Sequence, residues 1–510
     1  MNRLPNQWKL DELLRSLAVS DVPSVEIAGL SLDSRLVEPG DAYLAVAGST
    51  THGIRFADAA LEAGAVAVLV DSNIATSYQE YIEPLVDRGV PLVRVPSLDQ
   101  RCAQLAARFY DSPDSKMTLI AVTGTDGKTS VCRFIASALT GLEMTCGYIG
   151  TLGWGRSDQL LETSLTTPDV VSLRRMLAAM YIKGVDYVAL EASSHGLAEG
   201  RLDGLSIDIA VLTNFGRDHL DYHKTLQAYR EAKTSLFTRS SVNKVILNGC
   251  DSLGCELVAK LEHAEKTVYC QSQSCLDDLS DTLDAVPSNV VASNITTSDT
   301  GLGFSIDDAG YELKINSPII GKFNVDNLLA CYACLRTCGV AANDAAHALQ
   351  GVSAVPGRME RLGGKSKPTI VIDYCHTPQA LSVAISAVQV HCKGQLWVVF
   401  GCGGDRDKGK RAPMAKAAEV ADYVVLTDDN PRTEASSKII QDTLAGFESP
   451  QDVLVISDRA EAIRHAITAA SAGDLVLIAG KGHEDYQIIG EVRFPFSDRE
   501  HALCALELAS

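Results

Sequence analysis

Residues 119–130 read LIAVTGTDGKTS, an apolar run that enters a glycine loop and continues into a helical pattern. Gly124 and Gly127 let backbone N–H groups turn inward on phosphate, and Thr125 and Ser130 complete the loop. Lys128 offers a point charge, Thr129 a hydroxyl for Mg²⁺, and the following helix its positive N-terminus. The spacing G-x-x-G-K-T is two residues shorter than the usual phosphate loop. Asp126 adds a negative charge where phosphate must sit, which is tolerable only if its side chain points elsewhere. Asp makes Asx-type bonds to backbone N–H groups one or two residues ahead, so Asp126 is expected to hold the shape of the loop.

Three further side chains lie at or beyond the ends of apolar runs. Glu191 closes VDYVALE, and His219 and Lys233 lie in TNFGRDHLDYHKTLQAYREAKTSLF. A hard divalent cation beside nucleotide phosphates wants oxygen ligands and tolerates an imidazole, so Glu191 and His219 are candidate metal ligands together with Thr129. Taken singly, His219 or His223 could cap a loop and Lys233 could be a solvated helix lysine; their company with the glycine loop is what points to catalysis. Cys331, Cys334 and Cys338 fall on one helix face, with no second CxxC or His pair nearby to complete a tetrahedral zinc site. They read as buried core thiols.

The elements that must position these groups are legible in the periodicity. Runs such as AVAVLV (65–70), MTLIAVTG (117–124), IDIAVLTNF (207–215), PTIVIDY (368–374), QLWVVFGCGG (395–404), DYVVLTDDN (422–430) and DLVLIAGKG (474–482) alternate with helical patterns. Strands separated by helices imply parallel sheets covered on both faces, with ligands at the carboxyl ends of the strands. Breaks near RVPSLDQ and SAVPGRMERL divide the chain into 1–98, 99–355 and 356–510, while 265–320, rich in Ser, Asp and Thr, reads as a peripheral β insertion. The 510 residues suit about three domains. A composition of 46% hydrophobic and 21% charged residues is that of a soluble globular protein. The net charge of −19 argues against a nucleic-acid or anionic-membrane partner, so an anionic ligand must be met by local Lys and Arg. Fourteen scattered cysteines, no apolar core of a signal peptide and no run of ~18 apolar residues place the chain in the cytoplasm.

In order along the chain, TGTDGKTS, EASSHGL, TNFGRDHLDYH, YREAK, GKFNVDNLLA, PGRMERL, DYCHTP, GCGGDRDKGKR, TDDNPRTE and AGKGHEDYQ resemble the ATP-dependent Mur ligases of bacterial peptidoglycan synthesis. The resemblance covers essentially the whole chain. It implies an α/β fold of three domains: an N-terminal UDP-substrate-binding domain, a central P-loop ATPase domain, and a C-terminal doubly wound, Rossmann-like domain that binds the amino acid. It also implies that ATP converts a peptide carboxylate to an acyl phosphate, which an incoming amine attacks. Lys128 would neutralise the transferred phosphoryl group, with Thr129, Glu191, His219 and a carbamylated Lys233 on Mg²⁺. Asn327 would reach adenine, Arg358 the phosphates and Asp373 the ribose, with His376 beside them in a motif where Cys375 replaces the usual Ala.

For the acceptor, UDP-N-acetylmuramoyl-L-alanyl-D-glutamate, the resemblance implies contacts from Leu32, Ser34, Thr166, Thr167, Ser193, Glu199 and Arg201. Leu165 and Asp126 stand where Asn is usual, and Glu199 where Gln is usual. Arg406, Asp429, Asn430, Pro431, Arg432, Gly480 and Glu484 would form the amino-acid pocket. meso-Diaminopimelate differs from lysine by one carboxylate, and the fork of Arg432 fits a carboxylate bidentately. The expected protein is thus a monomeric diaminopimelate-adding ligase. A lysine-adding ligase, a folylpolyglutamate synthase or an idle nucleotide-binding protein would leave Arg432 or the intact Lys128, Glu191, His219 and Lys233 without purpose.

Overall fold

The computed structural model describes residues 8–17, 19, 21–48, 51–280, 288–298 and 300–508. They form two compact units, one holding the described residues up to Val268 and the other those from Tyr269 onward.

The first unit carries a smaller parallel sheet and a larger one whose central strands are parallel. The smaller pairs Gly29–Ser31, Asp41–Ala45, Ala67–Asp71 and Leu92–Val95 in sequence order. In the larger, Thr118–Thr123 lies between Tyr187–Glu191 and Ile209–Leu212, with Cys146–Gly150 and Lys244–Asn248 outside them, all parallel. These strands are mostly apolar because both faces are covered, and most of their residues are buried. The strand order matters for the site. Glu191 pairs with Val122 and Leu212 with Thr123, so the loops after three strands emerge side by side at one sheet edge.

The second unit includes helix Gln273–Ser280 and a meander of three antiparallel strands, Ser288–Ser298, Gly301–Asp308 and Tyr311–Ser317, all inside the stretch 265–320 expected to be a β insertion, which is thus part helix. Helix Asn324–Thr337 follows, buried along nearly all of its length. Cys331 and Cys334 are core thiols as expected, whereas Cys338 is only half-buried, since it falls just past the last helical turn. A six-stranded sheet has the order Glu360–Gly363, Thr369–Asp373, Leu475–Ala479, Leu396–Phe400, Tyr423–Leu426, Leu454–Val455, parallel except for the first strand. It is doubly wound: Val371, Leu381, Val398 and Leu477 build a core on one face, and Ile370, Ile463, Val399 and Val476 one on the other. Alternate residues of each strand serve opposite cores, as the two-residue period demands.

Candidate active site

The glycine loop joins strand Thr118–Thr123 to helix Lys128–Gly141. Gly124 has φ +153°, and a Cβ there would sit 1.8 Å from Thr213 Oγ1, so only glycine lets the loop pass the neighbouring strand end. Lys128 Nζ donates to the carbonyls of Gly124 and Thr125, both at 2.8 Å. Ser130 is buried in the first helical turn. Asp126 corrects the expectation: its side chain is exposed and makes no hydrogen bond among the described residues. The loop is held through its backbone instead. Asp126 N–H donates to Asn214 Oδ1 at 2.9 Å, and Thr213 Oγ1 donates to the Asp126 carbonyl at 2.6 Å. Both come from the end of strand Ile209–Leu212, which adjacency in the sheet brings to the loop.

Glu191 is fully buried, and its carboxylate is fixed on both oxygens. Oε1 accepts from the Tyr148 hydroxyl and from Thr151 N–H at 3.0 Å. Oε2 accepts from Thr129 Oγ1 at 2.8 Å and Thr151 Oγ1 at 3.1 Å. Burial, then the Glu191 charge, pushes the Tyr148 phenol well up, which keeps it a donor. Tyr148 and Thr151 are absent from the sequence reading. The signal for them was a phenol inside an apolar strand, which needs a polar partner, and a threonine at that strand's carboxyl end.

Lys233, on helix Leu226–Phe237, is buried and donates to the Gly124 carbonyl at 2.6 Å. Burial, reinforced by Lys128, drives its amine well below the usual lysine range. His219 is exposed, with φ +52° and Nε2 3.3 Å from Asp218 Oδ2. Its ring meets His195 at 4.8 Å between centroids, and the loss of water on that packed side, ahead of all charge effects, lowers its basicity. Among the described residues no three His, Cys, Asp or Glu side chains are gathered for a metal. The donor set therefore fits a hard cation only if threonine oxygen and a modified Lys233 take part, because a free ammonium repels it.

The expected acceptor contacts divide. Thr166 Oγ1 lies 3.2 Å from Thr151 Oγ1; Thr167 Oγ1 bonds Ser193 Oγ at 2.9 Å; Arg201 NH1 donates to the Thr167 carbonyl at 2.7 Å. Glu199 pairs with Arg201, Nε to Oε2 at 2.9 Å, which gives a carboxylate at that position a definite partner. Leu165 is exposed. Leu32 and Ser34 are half-buried beside the short turn Ser34–Leu36 of the smaller sheet.

In the second unit, Arg358, Asp373 and His376 converge on Tyr374. The Arg358 guanidinium carbon is 4.4 Å from the Tyr374 ring centre, and the His376 ring 4.6 Å. Arg358 NH1 is buried without a partner among the described residues, an orphaned donor that fits an anion such as phosphate. Asp373 accepts from the N–H groups of Met359 at 2.8 Å and Cys375 at 2.9 Å, and burial raises its carboxyl. Asn327 is buried, with Nδ2 bonded to Asn324 Oδ1 at 2.7 Å.

The residues expected to form the amino-acid pocket make a closely bonded cluster. Asp429, Asn430 and Glu484 surround Lys481, which lies beyond the candidate set read from the sequence although glycines flank it at a strand end. Asn430 Nδ2 donates to Glu484 Oε2 at 3.1 Å. Burial raises the Asp429 carboxyl against the pull of Arg459 and Lys481. Gly480 has φ +115°, and a Cβ there would approach Asp429 Oδ2 to 2.9 Å. Arg432 has φ +53°, donates from NH1 to the Gly404 carbonyl at 2.8 Å, and keeps Nε and NH2 without hydrogen bonds among the described residues. Pro431 is buried beneath it. Arg406 is exposed and bonded to none of these groups among the described residues, although its Cγ and Arg432 NH1 would lie 3.8 Å and 3.1 Å from a Cβ placed on Gly403.

Domain matches carry one conclusion along the chain, which belongs to the Mur ligase family: the Mur ligase middle domain matches residues 122–335, the glutamate ligase domain 357–482, and the Mur ligase family catalytic domain 26–110. It is similar to the UDP-N-acetylmuramoyl-L-alanyl-D-glutamate–2,6-diaminopimelate ligase of Coxiella burnetii, at 41% identity over 98% of this chain and 99% of that protein. The protein of the same name from Alkalilimnicola ehrlichii is 42% identical over 96% of this chain and 97% of its own length. A solved structure of a 2,6-diaminopimelate ligase superimposes with a TM-score of 0.68 at 33% identity, covering 99% of both chains. A MurF ligase from Thermotoga maritima in complex with ADP shares the fold at 17% identity, with a TM-score of 0.60 and coverage of 94% and 97%.

Proposed function

We propose that the protein forms an amide between a carboxylate of UDP-N-acetylmuramoyl-L-alanyl-D-glutamate and an amine of meso-2,6-diaminopimelate, converting ATP to ADP and phosphate. It acts as a monomer in the cytoplasmic stage of peptidoglycan precursor synthesis, and among the described residues no helix is long and apolar enough to cross a membrane. The observation that carries the choice of amino acid is Arg432, whose guanidinium is anchored by one nitrogen and presents Nε and NH2 as a fork for a carboxylate. Lysine has no carboxylate at that end, whereas diaminopimelate does.

A peptide carboxylate oxygen attacks the γ-phosphorus of ATP and the bond to ADP breaks, giving an acyl phosphate. The amine lone pair then attacks the acyl carbon, phosphate leaves with the C–O electrons, and the nitrogen loses a proton. Catalysis of the first step rests on positioning and charge stabilisation. Lys128, which caps two loop carbonyls, would leave them for the transferred phosphoryl group. Mg²⁺, when bound, supplies charge neutralisation and a template for phosphate oxygens. Thr129, Glu191 and His219 would hold it, with Glu191 locked by Tyr148 and Thr151. Lys233, biased to the neutral amine by burial, suits attack on CO₂: an N–C bond forms as one C–O π bond opens onto oxygen, a proton leaves the nitrogen, and the resulting carbamate would offer the metal an anionic oxygen.

ADP release with the UDP-muramoyl dipeptide should proceed with meso-diaminopimelate and fail with L-lysine. Arg432→Ala should raise the diaminopimelate KM by roughly 30-fold or more, since an unpaired carboxylate costs ~2–5 kcal/mol. Comparable turnover of lysine by the wild type would refute this assignment.

A further inference from the structure

Lys481 directly follows Gly480 at the end of strand Leu475–Ala479 and is 0% exposed. Its Nζ lies 2.8 Å from Glu484 Oε2, 3.3 Å from Asn430 Oδ1 and 3.8 Å from Asp429 Oδ1. The circuit closes through Asn430, whose Nδ2 donates to the same Glu484 Oε2 while Ile488 N–H donates to its Oδ1 at 2.9 Å. An ammonium this deeply buried persists only where oxygens take up its protons, and here those oxygens belong to the amino-acid pocket. Both protein contacts to Glu484 load Oε2, so among the described residues Oε1 carries no hydrogen bond.

We propose that Lys481 is a positioning residue for amino-acid selection: it pins Glu484 Oε2 and Asn430 Oδ1, so that Glu484 Oε1 and Asp429 meet the ammonium at the far end of a diamino diacid while Arg432 meets its carboxylate. This rests on the pocket assignment of the proposed function. Lys481 acts through its neighbours, since its own ammonium is fully enclosed. The charges also balance. Asp429 and Glu484 against Lys481 and Arg432 leave a neutral pocket, suited to a zwitterionic end and unsuited to the lone ammonium of lysine.

The test is a cycle of Lys481→Met, Glu484→Gln and the double variant, read as KM for meso-diaminopimelate and for ATP, with lysine as a competing substrate. Lys481→Met should raise the diaminopimelate KM by about tenfold or more, with the ATP KM changed by less than about twofold. The double variant should be no worse than Glu484→Gln alone, because a group acting only through Glu484 adds nothing once that carboxylate is gone. If Glu484→Gln raises the KM but Lys481→Met leaves it unchanged, or if the double variant is a further tenfold worse, the positioning role is wrong and the pocket assignment stands. If Glu484→Gln itself leaves the diaminopimelate KM unchanged, the pocket assignment fails first. Should Lys481→Met not fold, because Glu484 is left unpaired in the interior, the comparison of the double variant with Glu484→Gln decides alone.

Discussion

Asp126 is the residue at which local chemistry and tertiary structure part. The expectation that its carboxylate shapes the glycine loop fails because Asn214 and Thr213 do that work on its backbone. Asp126→Asn and Asp126→Ala should therefore behave alike, each within about 0.5 kcal/mol of wild-type stability and binding ATP equally or slightly more tightly. Asn214→Ala should cost about 1–2 kcal/mol and weaken ATP binding, because a loop N–H loses its acceptor. Denaturant titration and nucleotide binding check both, and a defect confined to Asp126→Ala would restore the side-chain role. His483 gives the pH dependence. Burial, and then Arg358, pulls its imidazole down to about 4. Between that value and the ordinary 6.5 the unfolded chain binds the extra proton, so this contribution is complete above pH 6.5 and is lost as pH falls toward 4. It amounts to at most about 3 kcal/mol. Thermal scans from neutral pH to pH 4 should show a shallower acid decline in His483→Gln than in the wild type, and identical slopes would contradict the assignment.

At the scale of elements, the pocket depends on two loops that close on each other. The loop after Leu396–Phe400 reaches the loop after Tyr423–Leu426, where Gly404 N–H donates to the Asn430 carbonyl at 3.0 Å and the Gly404 carbonyl receives Arg432. A Cβ on Gly404 would lie 1.9 Å from the Pro431 carbonyl oxygen. Arg411, almost wholly buried, locks the same loops by pairing with Glu434 at 2.7 Å and Asp442 at 2.9 Å, and holds the Glu434 carboxyl down to about 2. Gly404→Ala should therefore push the Pro431 carbonyl aside and tilt Arg432. We expect a loss of about 1–3 kcal/mol in stability, with a raised diaminopimelate KM and an ATP KM near wild type. An unchanged diaminopimelate KM in a variant of lowered Tm would show that the loops can separate without disturbing the site.

At the scale of the molecule, the smaller sheet of the first unit is not a freestanding body. Its core, with Leu10, Leu44 and Leu69, continues through Phe109 into Val171 and Ala178 of helix Val170–Ile182. Asp41, 1% exposed, accepts from Arg175 of that helix at 2.6 Å. Arg175→Met strands this carboxylate and should cost about 3 kcal/mol. The amides of Ala67–Asp71 and Thr118–Thr123 should then lose hydrogen-exchange protection together. Loss confined to the smaller sheet would show that it opens by itself.

The chain by itself declared the alternation of strands and helices, the glycine loop, and the acids, histidines and lysines at strand ends. These are local facts: a two-residue or 3.6-residue period records which face is buried, and a loop motif is contiguous. It could not declare partners. Asn214 meets Asp126 across 88 residues, Tyr148 meets Glu191 across 43, and Lys481 meets Asn430 across 51. Those meetings depend on strand order: Thr118–Thr123 lies beside Ile209–Leu212, Cys146–Gly150 beside Tyr187–Glu191, and only Leu396–Phe400 separates Leu475–Ala479 from Tyr423–Leu426. Every buried strand here satisfies the same apolar pattern, so periodicity cannot rank neighbours; only packing both faces of the sheets at once selects which strand ends, and therefore which polar side chains, stand together.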